Sequence, residues 1–390
     1  MNEFQQNFIH ILKAAFPQGC PRADLDIDLE MATAVAKRHN IAPIFYYGAL
    51  NCGISKTLAP MQELHQLTLK NVMVSVRQTC ETENIFRAFE EAGIAYMPLK
   101  GTVLKAVYPK PEMRTMGDAD ILIKTEQYPQ IQAIMEQLRF TFQEETDHEM
   151  IWVKPTLYLE LHKRIMTRYN QDFYNYFGSG WKLAQSVPGS CAYQLSLEDF
   201  YIFMFVHFTK HYRISGIGIK HLLDLWVYTQ AHPDIRWDYV EQELAKMHLS
   251  EFHDNIRQTL KVWFDDAPCT DVTELITNVI FHSGQYGSTE MAIINRSLQT
   301  DGDSVAKIKT HRLWNGLFPG YKQMARKYPI LEKAPILLPF FWIGRIFSAV
   351  IFRRNNIQKV WSNMEKIEKN KLEENALALR MVGLDFHFTE

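Results

Sequence analysis

Residues 98–123, PLKGTVLKAVYPKPEMRTMGDADILI, hold the chain's densest set of groups able to do chemistry. Asp118 and Asp120 stand two apart in a strand-like run, so both project to one face while Ala119 and Ile121 project to the other. Two carboxylates on one face repel. A divalent cation is the usual remedy, and Mg²⁺ takes one or two carboxylates and completes its octahedron with water and phosphate oxygens. Further on, in TLYLELH, Leu157, Leu159 and Leu161 face one way and Tyr158, Glu160 and His162 the other. A carboxylate in the middle of an apolar strand predicts that the two strands lie side by side and bring Asp118, Asp120 and Glu160 to the same pair of ions. His162 shares Glu160's face and reads as a hydrogen-bonding neighbour more readily than as a ligand.

Upstream, Lys100, Gly101 and Thr102 follow the strand end MPL and precede a short helix. They offer backbone N–H groups at a helix start, a hydroxyl and a cation, all suited to phosphate. Arg114, in a Pro-bounded loop four residues before Asp118, can grip a phosphate with two N–H groups. His207 and His211 are four apart on a helical segment beside Lys210, and Lys220 and Asp224 fall on the next one. Phe208 stands where a zinc-protease helix needs Glu, so that motif is excluded. Two readings stand for this face: cations for a triphosphate or acceptor, or a buried hydrogen-bond network joining two helices.

The elements that must position these groups follow from patterning. Residues 2–92 read as helical, with turns at Pro17–Pro21 and near Gly53. The longest helix, from about Thr57 to Ala92, is expected to carry Leu64, Leu67, Leu69, Val72, Val76, Ile85, Phe86 and Phe89 on one broad stripe and to end at Gly93. Then come short β-branched or aromatic segments, IAYMPL, DADILI, EMIWVK and TLYLELH, with one amphipathic stretch, Gln127–Leu138. Past Tyr169 the chain returns to helix, opened by a capping box of Ser196 and Asp199. The expected divisions are a helical part over 1–92, an α/β core over 93–168, a helical domain over 169–298 and a helical part over 299–390.

Composition bounds the class. At about 150 residues per domain, 390 residues suggest two to three domains. Hydrophobic residues at 47% and charged residues at 22% exclude a disordered or multi-span chain. Forty-two basic against forty-four acidic residues, a net charge of −2, weigh against a protein built to wrap nucleic acid. Five cysteines without a C-x-x-C pair, and a first segment lacking a basic n-region, point to the cytoplasm.

The apolar run 334–352 is long enough to span a bilayer, yet contains Arg345 and Pro339. It is flanked by Lys322, Arg326, Lys327, Arg353 and Arg354. Three readings stand for it: a buried helix, a contact with the inner membrane face through 334–354, or a span.

The LKG loop, the R-x-M-G-D-x-D run and the later E-L-H resemble the uncharacterised nucleotidyltransferases, a mainly bacterial family of the DNA polymerase β-type nucleotidyltransferase superfamily. The pattern extends through LSLEDFYIFMFVHFTKH and GIGIKHLLDLW, over about residues 60 to 350. The resemblance implies an α+β fold, a small mixed-sheet core embedded in mostly helical N- and C-terminal parts. It implies an enzyme that moves a nucleoside monophosphate from an NTP, ATP among them, to an acceptor hydroxyl with release of pyrophosphate.

In that reading Asp118 and Asp120 hold two Mg²⁺ ions, and Glu160 holds the catalytic one and takes the acceptor proton. Gly101 and Thr102 cradle the triphosphate, and Lys100, Arg114, Lys210 and Lys220 bind the nucleotide. The superfamily's Gly-Ser is here Gly101-Thr102 preceded by Lys100, which can contact a phosphate or Asp118. Acceptors open to such an enzyme are sugars or glycan precursors, small molecules and proteins, with nucleic acid disfavoured by charge. The alternative is a binding or regulatory protein that keeps the fold without catalysis, at the membrane surface in one version.

Overall fold

The computed structural model describes residues 1–285 apart from Asp24 and 168–170, and beyond them residues 287–288, 291–292, 295, 318, 320–321, 324, 328, 330–344 and 369–384. Four helices open the chain: α1 (Glu3–Ala14), α2 (Leu29–Arg38), α3 (Ala42–Asn51) and α4 (Ala59–Glu91). Asn2 caps α1 in a capping box with Gln5, and the apolar spacing of α1 buries Phe8, Ile11 and Leu12 fully. Phe8 stacks on Phe45 of α3 at 4.8 Å between centroids.

Helix α4 ends as its sequence requires, with Gly93 at a φ of 67° that a side chain would resist. Its buried face is not the expected stripe. Leu69 and Val76 are exposed, while Thr68, Ser75, Gln78 and Thr82 are buried with Leu64, Ile85 and Phe89. Three of these polar residues find partners inside, while the Ser75 hydroxyl finds none among the described residues. Thr68 and Thr82 donate to the carbonyls one turn back, at 2.8 and 2.7 Å. Gln78 bridges the Met116 carbonyl and Lys105, at 2.9 and 3.0 Å.

The α4 end packs on a five-stranded sheet of β1 (Tyr96–Pro98), β2 (Ala119–Ile123), β3 (Thr141–Glu145), β4 (Glu149–Lys154) and β5 (Leu157–His162), in the order β1-β2-β5-β4-β3. Only β2 and β5 pair in parallel. Between β1 and β2 lies the short α5 (Lys100–Leu104), and between β2 and β3 lies α6 (Tyr128–Gln137). One sheet face carries Ala119, Ile121, Ile123, Leu157, Leu159 and Leu161 into a core with Ile85 and Phe89 of α4 and Ile131 and Met135 of α6. The period of two sends Asp120 and Glu160 to the other face. Strand β3, exposed along its length and with Phe142 its one apolar side chain, gave no alternating signal and is an addition to the expected elements.

Helix α7 (Gln171–Phe177) and the two-residue strands β6 (Gln185–Ser186) and β7 (Tyr193–Gln194) lead to α8 (Leu197–Ser215). Ser196 caps α8 by accepting from the Asp199 N–H, but the reciprocal half of a capping box is absent. Asp199 instead accepts from Ser196 Oγ, Tyr176 and Tyr239. After a turn at Gly216, where φ is 75°, come α9 (Ile219–Ala231), α10 (Trp237–Lys246), α11 (Ser250–Phe264) and α12 (Asp271–His282). The fold is α+β, a small mixed sheet among helices. All five cysteines are free thiols.

The chain divides into two compact units: Met1–Tyr212, Gly216–Gly287 and Val382–Glu390 form one, Arg213–Ser215 and Ser288–Met381 the other. In the second, Met324 and Leu331 are buried beneath Leu337, Leu338, Phe341 and Trp342. Residues 338–344 are helical, and Ile336, Phe340 and Ile343 are exposed. The rest of the apolar run, 345–352, and its basic flank at Lys322, Arg326, Lys327, Arg353 and Arg354 lie outside the described residues. Among the described residues no helix is long and apolar enough to cross a membrane.

Candidate active site

The parallel register of β2 and β5 sets Asp120 directly beside Glu160, and Leu122 beside His162. Asp118, one residue before β2 and half-buried, lines the same cleft of about 270 Å³. Asp120 Oδ1 accepts from Lys100 Nζ at 2.6 Å and lies 2.9 Å from His162 Nε2. That nitrogen is also 3.4 Å from Glu160 Oε2. Lys100 thus meets Asp120, not Asp118.

Lys100 reaches Asp120 from a backbone held at a φ of 42°, a left-handed value costing about 1–3 kcal/mol that a free chain would not adopt. Gly101 follows because a Cβ there would come within 2.9 Å of Met116 Sδ. Thr102 is not brought to the cleft; its hydroxyl points at Met116 Sδ, 3.9 Å away.

Cations form the facing wall. Arg114 is buried, its Nε donating to Asp224 Oδ1 on α9 at 2.6 Å and its second nitrogen to the Thr115 carbonyl at 2.6 Å. Tyr108 donates to the same Asp224 oxygen at 2.7 Å. Lys220, one turn before Asp224, is buried and among the described residues makes only a long contact, 3.4 Å, to the Thr115 carbonyl. Lys210 on α8 lines the cleft, as do His207, His211 and His221. His207 and His211 meet at 3.2 Å through their Nε2 atoms. Arg114, Tyr108 and Asp224 form an internal network, and Arg114, Lys210, Lys220 and the histidines line the cleft.

Burial and charge set the protonation states. Burial pushes the Asp120 carboxyl up, but the Lys100 charge and the His162 contact outweigh it and hold it well below the usual carboxylate range. Burial and the Asp120 charge push the Asp118 carboxyl up. Burial drives Lys220 down to about 7, helped by Arg114, and lowers Lys210 as well. His211 is driven down to about 4 by burial and Lys210, and burial holds His207 and His221 neutral. The cleft thus sets crowded carboxylates against cations whose charge burial penalises, and each side gains if an anion and a dication enter together.

Asp120, Glu160 and His162 place one donor atom each within 4.8 Å of the others, and so do His148, Glu149 and His162. Asp118 stands outside the first group but adds its carboxylate to the same cleft. The oxygen-rich donors and the repulsion between Asp118 and Asp120 fit a hard dication. His148, Glu149 and His221 were not foreseen. Glu149 pairs with His162 across β4 and β5. The two-residue connection between Lys154 and Leu157, read as a tight hairpin, was the signal that could have located it.

The sheet thus sets adjacent carboxylates on one side of the cleft, across from Arg114, Lys210 and Lys220. The chain belongs to the family described as uncharacterised nucleotidyltransferase, whose model matches residues 26–265. The match begins earlier and ends earlier than the span the motifs suggested. No curated protein matches the chain. A solved structure, the solution structure of the antibiotic-resistance factor ANT(2'')-Ia, is similar at 16% identity over 44% of this chain and 91% of that one, with a TM-score of 0.33.

Proposed function

We propose that the cleft binds a nucleoside triphosphate with Mg²⁺ and passes its nucleotidyl group to an acceptor hydroxyl. The observation that carries this is the side-by-side register of Asp120 and Glu160, with Asp118 beside them, facing Arg114, Lys210 and Lys220. Asp118, Asp120 and Glu160 would hold the dication, which when bound supplies charge neutralisation at the phosphates. Lys100 keeps Asp120 ionised and ready to act as a ligand. Lys210 and Lys220 gain their full charge against the triphosphate, and Arg114, fixed by Asp224, orients it; Gly101 lets the loop pack against Met116 at the edge of the cleft.

Glu160 takes the acceptor proton as the hydroxyl oxygen bonds to the α-phosphorus, and the bond from that phosphorus to the bridging oxygen breaks, releasing pyrophosphate. A sugar or glycan precursor is the acceptor class to try first. Five free thiols support a cytoplasmic setting. Exposed Ile336, Phe340 and Ile343 support a peripheral contact of the 334–354 segment with the membrane face.

The test is a binding screen of the four NTPs with Mg²⁺, wild type against Asp118→Ala and Asp120→Ala. The expected result is Mg²⁺-dependent binding of at least one NTP, lost in both variants without loss of fold. Unchanged NTP and Mg²⁺ affinity in the double variant removes the proposal. The 2.6 Å bond from Lys100 to Asp120 favours one second reading, a nucleotide-binding protein in which this lysine stands where a cation would act and catalysis is absent. Pyrophosphate release with any supplied acceptor disposes of it.

A further inference from the structure

We propose that His148, Glu149 and His162 form a binding site for a first-row transition-metal dication of the zinc class, separate from the Asp118 and Asp120 carboxylates. The inference goes beyond nucleotidyl transfer and does not rest on it.

The tight β4–β5 hairpin places Glu149 opposite His162. Glu149 Oε2 lies 3.0 Å from His148 Nε2 and 3.9 Å from His162 Nδ1. Donors around one tetrahedral zinc, with bonds near 2.1 Å, stand about 3.4 Å apart, a value these two separations bracket. His162 is 4% exposed, and its Nδ1 is buried without a hydrogen-bond partner among the described residues. An orphaned ring nitrogen in that position is costly unless something other than a protein hydrogen bond satisfies it.

Both rings have the outer contact that metal-binding imidazoles need. His162 turns Nε2 to the Asp120 carboxylate at 2.9 Å, which keeps the proton on Nε2 and leaves the Nδ1 lone pair facing Glu149. His148 turns Nδ1 to Thr146 Oγ1 at 3.3 Å. The Thr146 hydroxyl donates to the Glu149 carbonyl and takes long contacts of 3.4 and 3.2 Å from the His148 and Glu149 N–H groups; a proton on Nδ1 shares that oxygen with them and leaves the His148 Nε2 lone pair facing the same carboxylate. A carboxylate or hydroxyl behind each imidazole is the arrangement that fixes the tautomer and raises ligand basicity.

Two imidazoles and one carboxylate suit zinc, cobalt, nickel or iron, whereas Mg²⁺ prefers oxygen and keeps its water. All three residues line the cleft, so a coordination position beyond theirs is open to water or to an oxygen of whatever occupies it.

The test uses the full chain, stripped with a chelator and titrated with Co²⁺ as an absorbing zinc analogue. The expected result is a visible ligand-field band that saturates at one equivalent, is displaced by Zn²⁺ and is indifferent to excess Mg²⁺. His148→Ala and Glu149→Gln should each weaken Co²⁺ binding about a hundredfold, and Thr146→Val about tenfold. Asp118→Asn should leave the band in place. Circular dichroism and melting of each variant separate lost ligation from lost fold; if His148→Ala does not fold, His148→Gln replaces it. Absence of the band, displacement by Mg²⁺, survival of the band in both ligand variants, or its loss in Asp118→Asn alone overturns the proposal. Because Asp118→Asn is read for NTP binding in the same preparations, failure of the transfer reading and failure of this site remain distinguishable.

Discussion

Replacing Lys220 by methionine should stabilise the protein, and should do so most at low pH. The side chain is 4% exposed, and among the described residues no carboxylate bonds its ammonium and its one polar contact is a 3.4 Å approach to the Thr115 carbonyl. Burial and the nearby Arg114 drive it from 10.5 to about 7. At about 1.4 kcal/mol per unit, that fall corresponds to roughly 5 kcal/mol spent in holding the charge inside the fold, an upper bound because water can enter the cleft. Below pH 7 both states bind the proton and the whole cost is present. Between pH 7 and 10.5 the unfolded chain binds the proton and the native one does not, so native stability rises with pH.

Wild type should therefore gain about 2 kcal/mol from this group between pH 7 and pH 9. Lys220→Met, lacking that dependence, should exceed wild type by several kcal/mol at pH 6 and by about 2 at pH 9. Urea unfolding of both proteins at pH 6, 7.5 and 9 measures it. A variant less stable than wild type throughout, or a gap that does not change with pH, would refute the reasoning. The same lysine makes triphosphate binding take up a proton above pH 7, readable by calorimetry in buffers of different ionisation enthalpy.

Lys100→Ala leaves the Asp120 charge buried without its cation and should cost about 3 kcal/mol at pH 7 in urea unfolding. Since Lys100 holds the Asp120 carboxyl low, its stabilisation is present above the ordinary value of 3.8 and is lost as pH falls below it, so the variant and wild type should converge in acid. Asp118→Asn removes repulsion from Asp120 and should raise the melting stability by about 1 kcal/mol at neutral pH while weakening NTP and Mg²⁺ binding at least about tenfold. Arg114→Lys cannot bond Asp224 and the Thr115 carbonyl together, and should lose about 2 kcal/mol of stability despite the conserved charge, checked by thermal unfolding.

Much of the fold was legible because it rests on local rules. The period of two marked Asp120 and Glu160 as facing away from Ile121 and Leu161, and apolar spacing with Ser196 marked the start of α8. On α4 the same rule misled. Its mid-section turns Thr68, Gln78 and Thr82 inward, which is tolerable because the carbonyls of Leu64, Gln78 and Met116 and the Lys105 ammonium supply partners that no pattern of apolar residues reveals. Strand β3 was invisible for the opposite reason: all its side chains are exposed, so it carries no alternation to detect.

The candidate site divides along the same line. Spacing by itself determined which side chains share a face, because strand and helix periods act within a few residues: Asp118 with Asp120, Glu160 with His162, His207 with His211. Which faces meet is decided by pairing and packing over long distances in sequence. Only the tertiary structure set Asp120 beside Glu160, turned Lys100 onto Asp120 and Thr102 onto Met116, tied Arg114 to Asp224, and brought Glu149 opposite His162. The physical reason is that side-chain direction is a property of the local backbone, whereas a neighbour across strands or helices is chosen by burying the largest apolar area with every interior polar group satisfied, a condition on the whole chain.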